Sequence, residues 1–166
     1  MPRPKNERIV HEPPLFTEFK PGGVYGRDLD LVVITLDEYE AFRLADHIGL
    51  SHEEAAGEME ISRSTFTRLI EDARKKIAGL IIEGKKLVIE GGSIHFRSNI
   101  IRCAKCGYMF KTGINAELIE CPECHSTELI SLAGGFGHGR CCGQYRNSKN
   151  QHKKGGNYAR RRQNRS

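Results

Sequence analysis

The sequence predicts a mainly α chain: a three-helix helix-turn-helix core with a small β-hairpin, then a small zinc-ribbon β module and a disordered basic tail. Three observations carry that prediction. Capping signals at Thr35-x-x-Glu38, Ser51-x-x-Glu54 and Ser62 each stand before a stretch whose apolar residues recur at helical spacing. Two Cys-x2-Cys pairs lie 14 residues apart, after residue 100. Residues 131–166 hold 9 Lys/Arg and no Asp/Glu.

The chain of 166 residues, 38% of them hydrophobic, suits one ordinary domain or two small ones. Its formal net charge is +5, unevenly spread: residues 1–100 carry 14 Lys/Arg against 17 Asp/Glu, and residues 101–130 carry 3 against 4. The basicity therefore belongs to the tail and is no argument that the helices bind DNA. No apolar run is long enough to span a bilayer and no basic-then-apolar leader opens the chain, so neither a membrane helix nor a signal peptide is expected, and the protein is expected in the cytoplasm. There Cys-x2-Cys pairs point to metal before disulfides. The absence of a Gly-rich phosphate loop, an H-E-x-x-H pair and a nucleophile motif points to a binding protein and not an enzyme.

Residues 1–34 read as an extended N-terminal arm and wrap. Arg3, Lys5 and Arg8 suit either a phosphate- or minor-groove-following arm or a solvated terminus. Pro13-Pro14, Phe16, Phe19, Pro21-Gly22-Gly23 and Tyr25 describe an extended segment that lays aromatics on a helical core. Residues 31–34, Leu-Val-Val-Ile, suit a short strand or a core anchor.

Residues 35–97 read as the helix-turn-helix domain with its hairpin. Thr35 starts a helix running to about His47, with Ala41, Leu44, Ala45 and Ile48 on one face and Gly49 at its end. The helix after Ser51 buries Ala55, Ala56 and Met59, and the turn falls at Glu60-Ile61-Ser62. A longer helix from Arg63 places Phe66, Leu69, Ile70, Ala73 and Ile77 within an arc of about 100°. Ser64, Thr65 and Arg68 fall opposite that stripe and are the expected base readers of a helix in the major groove; Arg63 and Thr67 lie at its border and suit phosphates. The competing reading is a solvated face on which Arg68 pairs with Asp72 four residues on. Glu71 and Asp72 would repel phosphates, so any contact belongs to the first turns. Residues 87–89 and 94–96 read as the two strands of a hairpin, a candidate seam with a second copy.

At this point several separated motifs carry a resemblance. Met1-Pro-Arg-Pro-Lys5, Phe19-Lys-Pro-Gly22, Glu40-Ala41 with Arg43-Leu44-Ala45-Asp46, Ser62-Arg63-x-Thr65-Phe66 with Arg68, Ala73-Arg74-x-Lys76, and Glu83-Gly84 followed by Glu90-Gly91-Gly92 occur in order. Over roughly residues 1–95 the chain resembles the DUF134 family, also called UPF0251, whose members are similar to the sigma-70 region 4 helix-turn-helix. The resemblance implies that the helix beginning at Arg63 is a recognition helix for double-stranded DNA.

Residues 98–132 read as the zinc ribbon, with Cys103, Cys106, Cys121 and Cys124 as four thiolate ligands of one structural Zn2+. So short a stretch holds too little apolar surface to fold unaided, and metal binding must supply the deficit. Phe110, Ile114, Leu118 and Ile119 are the expected packing residues. An iron-sulfur cluster or a single iron has the same ligand count, and His125 is expected at the surface. Residues 133–166 read as a Gly/Arg-rich flexible tail suited to non-specific phosphate contact, in which His138, Cys141 and Cys142 are candidates for a second metal site. The whole reads as a sequence-specific DNA-binding protein and transcriptional regulator, with RNA polymerase and a second copy of the chain as further candidate partners. An RNA- or ribosome-associated protein and a metal- or redox-handling accessory protein are the alternatives.

Overall fold

The three helices begin where the capping signals place them. In the computed structural model, which describes residues 7–114 and 116–133, helices α1 (Leu36–Phe42), α2 (His52–Glu58) and α3 (Arg63–Glu83) follow Thr35, Ser51 and Ser62. Glu38 returns its carboxylate to the Thr35 amide (3.0 Å), Glu54 does the same at Ser51 (2.9 Å), and the Ser62 hydroxyl accepts from the Thr65 amide (3.2 Å). Each bond satisfies an amide that the helix itself leaves orphaned. Gly84, at φ 64°, ends α3 in the left-handed conformation that only glycine adopts without strain.

The first helix does not run on as an α-helix to its end. Residues Arg43–Ile48 form π-helical turns, and Gly49 closes them at φ 86°. Closing i→i+5 bonds shifts the register, so Ala41 and Leu44 stay in the core while Ile48 is left 49% exposed. The core gathers Ala41, Leu44, Ala55, Ala56, Met59, Phe66, Leu69 and Ile70, with Phe42, Ala45, Leu50 and Ile61 packed around them.

The described residues divide into two compact units: residues 7–10 with Pro14–Ile94, and His11–Pro13 with the described residues among 95–133. In the first, strand β1 (Arg8–Val10) lays its Ile9 amide on the Met59 carbonyl, and Arg8 forms an ion pair with the buried Asp37. Arg8 is thereby committed inside the fold, whereas Arg3 and Lys5 lie outside the described residues. Strand β2 (Glu18–Phe19) and strand β3 (Leu31–Ile34) flank β4 (Lys86–Ile89), which runs antiparallel to β2 and parallel to β3, with Leu31 opposite Lys86 and Ile34 opposite Ile89. The whole three-helix block is thus the crossover between two parallel neighbours, the long connection that parallel pairing demands.

These strands correct the sequence-based fold class. The chain is not mainly α: the described residues are 35% helix and 24% strand, with three helices and small sheets. The N-terminal segment supplies β2 and also β3, the latter at residues 31–34, which read as a short strand or core anchor. The expected hairpin of residues 87–89 with 94–96 does not form, because β4 already has β2 on one side and β3 on the other. Strands of two to four residues are too short to show a period of two, and the β3 partner lies across the helical block in sequence.

The second unit is built on β6 (Ser98–Cys103), flanked antiparallel by β7 (Met109–Gly113) and β8 (Leu129–Ser131); strand β5 (Ile94–Phe96) leads into it. Phe96, Ile100, Ile101 and Ala133 are buried with the sulfurs of Cys103 and Cys121. Asn99, 8% exposed, acts as a polar clasp: its Oδ1 accepts from the Ile100 and Ala133 amides, and its Nδ2 donates to Ser131 Oγ at 2.8 Å. Leu118 and Ile119 are not packing residues: they are 38% and 82% exposed, because the segment that carries them forms no strand. The tail candidates His138, Cys141 and Cys142 lie outside the described residues. Among the described residues no helix is long and apolar enough to cross a membrane.

Candidate metal centre and helix-turn-helix face

The two Cys-x2-Cys segments fold into the same turn twice. In the first, the Gly107 amide donates to the Cys103 carbonyl (3.0 Å) and the Cys103 amide to the Tyr108 carbonyl (2.9 Å); in the second, the His125 amide donates to the Cys121 carbonyl and the Cys121 amide to the Ser126 carbonyl, both at 2.9 Å. Each turn needs a left-handed residue after its second cysteine. Gly107 (φ 78°) and His125 (φ 57°) fill that position. Glycine does so freely, and the non-glycine in the second turn is held there at some cost. His125 is exposed, pairs with Glu120 (3.2 Å) and takes no part in the ligand cluster.

The result is a closed set of four sulfurs. Those of Cys103, Cys106, Cys121 and Cys124 lie within 4.8 Å of one another, with Cys103 to Cys124 at 3.6 Å and Cys106 to Cys121 at 3.7 Å. Tetrahedral coordination at metal–sulfur bonds of about 2.3 Å sets sulfur–sulfur edges of about 3.8 Å, close to the two shortest separations of this set. Cys103 and Cys121 are buried, Cys124 is half-buried and Cys106 is exposed.

The electrostatics agree with the geometry. Backbone amides of Cys106 and Lys105 aimed at its sulfur hold the Cys103 thiol down, at about 6. The Tyr108 amide favours the Cys106 thiolate, yet partial desolvation of the sulfur, on a residue that is exposed as a whole, and the neighbouring thiols of Cys124, Cys103 and Cys121 push that group up to about 12. Four thiols in contact cannot all ionise unless a cation shares the site. The four cysteines can hold a metal ion.

The residues expected to read DNA lie in the other unit, on α3 and beside the turn that joins it to α2. The turn between α2 and α3 passes through Glu60 at φ 54°, a non-glycine held left-handed while the Ile61 amide bonds to the Ala56 carbonyl (3.0 Å). From Ser62 on, α3 buries Phe66, Leu69, Ile70 and Ala73 and leaves Arg63, Ser64 and Arg68 exposed. Thr65 and Thr67 are half-buried. Thr65 Oγ1 lies 2.7 Å from Ser62 Oγ within the cap, and Thr67 Oγ1 lies 3.0 Å from Nδ1 of His52, whose ring meets Phe66 edge-on. His52 carries no signal in the sequence; its place beside Thr67 follows only from the packing of α2 on α3.

Three of the six Lys and Arg residues between Leu36 and Glu83 are already committed. Arg43 makes two bonds of 2.8 Å to the fully buried Glu40, Arg74 holds Asp46 through bonds of 2.9 and 2.8 Å, and Lys76 meets Glu38 at 2.8 Å. The Arg74 guanidinium keeps the Asp46 carboxyl below its usual range, and the Ser51 hydroxyl and amide do the same for Glu54. Among the described residues, Arg63 and Arg68 make no ion pair, so the expected competing contact of Arg68 with Asp72 is absent. Glu71 and Asp72 follow Arg68 by one turn of α3, and Glu53, Glu54 and Glu60 are exposed on α2 and the turn, so the neighbourhood in sequence is acidic.

Comparison with known proteins adds the following. A family model described as "Protein of unknown function DUF134" matches residues 1–97. A UPF0251 protein of Chloroherpeton thalassium is 48% identical over 143 residues, covering 84% of this chain and 95% of its own length. UPF0251 proteins of Pelotomaculum thermopropionicum (41% identical, covering 77% of this chain and 96% of its own length) and Chlorobaculum tepidum (42%, 84% and 74%) are similar in the same way. An alignment of 143 residues extends beyond the region that the family model matches. No solved structure matches the chain.

Proposed function

The chain belongs to the UPF0251 (DUF134) family, and from that premise we propose that it is a sequence-specific DNA-binding protein of the cytoplasm, a transcriptional regulator that acts by binding and not by catalysis. The single observation that carries this reading is the pair of uncommitted arginines on the first turns of α3. Arg63 and Arg68 stand exposed with Ser64 on a helix whose other face is buried, whereas Arg43, Arg74 and Lys76 are held in ion pairs. A helix presented this way suits the major groove, with Arg68 on base edges and Arg63 on the backbone. Ser64 and the cap-bonded Thr65 adjoin the bases, and Thr67, tethered to His52, adjoins the phosphates.

The acidic surroundings favour a contact confined to the α3 N-terminus. Arg68→Ala is expected to lose discrimination of about 1–3 kcal/mol at one base pair, whereas Arg63→Ala weakens all sites nearly equally. Binding selections on a randomised duplex measure both. The same motif and affinity for wild type and a folded Arg68→Ala variant would sink the reading. Two copies would double a footprint of so few reading residues, and sedimentation with and without DNA measures whether they associate.

In the same proposal the four cysteines hold one structural Zn2+, which supplies folding energy and no chemistry of its own. The closed tetrahedral set of four thiols supports zinc, since a catalytic site would keep a position open. Elemental analysis of protein purified from its native host is expected to give one zinc per chain. Iron in its place would reverse the assignment.

A further inference from the structure

We propose that the first half of the cysteine unit carries a second nucleic-acid site, one that takes an unpaired base of a single strand on the ring of Tyr108. This site stands apart from the helix-turn-helix reading and uses none of its residues.

The observation behind it is a pair of stacked rings on a rigid, basic support. Tyr108 and Phe110 are two residues apart along an extended segment, with ring centroids 6.0 Å apart and planes inclined by 22°. Phe110 is the rooted member, half-buried opposite Ile101, itself 5% exposed. Tyr108 is the outer member and is 43% exposed. Its backbone is fixed on both sides by the first cysteine turn: its carbonyl accepts from the Cys103 amide at 2.9 Å, and its amide points at the Cys106 sulfur. A ring held this way loses little freedom when a base stacks on it, because the backbone beneath it is already ordered.

Charge selects the occupant. Residues 95–113 contain Arg97, Arg102, Lys105 and Lys111 and no acidic residue, whereas residues 116–128 carry Glu117, Glu120, Glu123 and Glu128. Lys111 shares its charge with Glu12 at 3.0 Å, while Lys105 stands exposed inside the cysteine turn, three residues before Tyr108. The chain that follows, residues 131–166, adds 9 basic groups and no acid. An aromatic face beside excess positive charge fits a base and its phosphate. A duplex offers no free base face, so the fitting partner is single-stranded, with stacking worth about 1–3 kcal/mol per base.

The test uses the full, metal-loaded chain and fluorescently labelled oligothymidylate, oligouridylate and duplex DNA of about 12 nucleotides, within the usual range of such sites. Tyr108→Ala and Tyr108→Leu are expected to weaken single-strand binding about tenfold and to leave duplex binding unchanged, while Tyr108→Phe binds as wild type. Tighter binding of either single strand supports the site and identifies the sugar it prefers. Metal content checks that each variant is folded. Should Tyr108→Ala lose its metal, Lys105→Ala replaces it and is expected to flatten the salt dependence of single-strand binding. Equal single-strand affinity for wild type and Tyr108→Ala, full affinity in Tyr108→Leu, which would mark an apolar protein contact, or an unchanged salt dependence in Lys105→Ala would each overturn the proposal. Loss of duplex binding in Arg68→Ala tests the other face separately.

Discussion

The two units solve the folding problem with different chemistry. The helical unit closes over side chains: Phe66, Met59, Ile70 and Leu44 are essentially inaccessible, and Glu38, Glu40 and Asp46 are paired with Lys76, Arg43 and Arg74. The cysteine unit closes over sulfur. Its centre is Cys103 and Cys121, its two turns repeat one backbone pattern, and Leu118 and Ile119 stay outside. The difference teaches where each unit is vulnerable, since apolar packing is spread over many contacts while a four-thiol site fails at a single ligand.

The sharpest way to break that contrast is to withhold the ion proposed for the four thiols. Chelation, or Cys121→Ser, is expected to cost the cysteine unit on the order of 10 kcal/mol and to collapse its amide NMR signals, while those of α1 to α3 persist. Retained dispersion for residues 96–133 without metal would show that its apolar contacts suffice. The mirror experiment is Phe66→Ala, which should destabilise the helical unit by about 3–5 kcal/mol in denaturant titrations with the metal still bound. Loss of metal in that variant would show that the two units unfold together.

Smaller effects sharpen the picture within the helical unit. Ser62→Ala removes the cap of α3 and should cost about 1 kcal/mol, read as a lower unfolding midpoint. Glu60→Gly works in the opposite direction: it relieves a left-handed non-glycine and should raise the midpoint, by at most about 1 kcal/mol. The smallest effect belongs to Asp46. Its folded pKa is depressed by Arg74, so its stabilisation is present above the unfolded carboxyl value and is lost as pH falls through the folded one. For so exposed a pair about 0.5 kcal/mol is the ceiling, and Asp46→Asn should flatten the acid limb of stability against pH by no more than that.

The sequence by itself determined the features whose causes are local. Caps at Thr35, Ser51 and Ser62 are one-turn hydrogen bonds, and the stripe of Phe66, Leu69, Ile70 and Ala73 follows from helical periodicity. The four cysteines announced a shared ligand set by spacing alone, and the motifs along residues 1–95 announced the family. Tertiary structure decided the rest. It paired residues 31–34, which already read as a short strand or core anchor, with β4, set β2 on the other side of β4 instead of a hairpin with β5, and so made the chain a mixed α and β protein. It also decided which arginines are free, for Arg74 and Lys76 find Asp46 and Glu38 across 28 and 38 residues of chain. Strand partners and ion pairs of that kind depend on which backbone edges and carboxylates the fold brings within about 3 Å, a distance that sequence spacing does not encode.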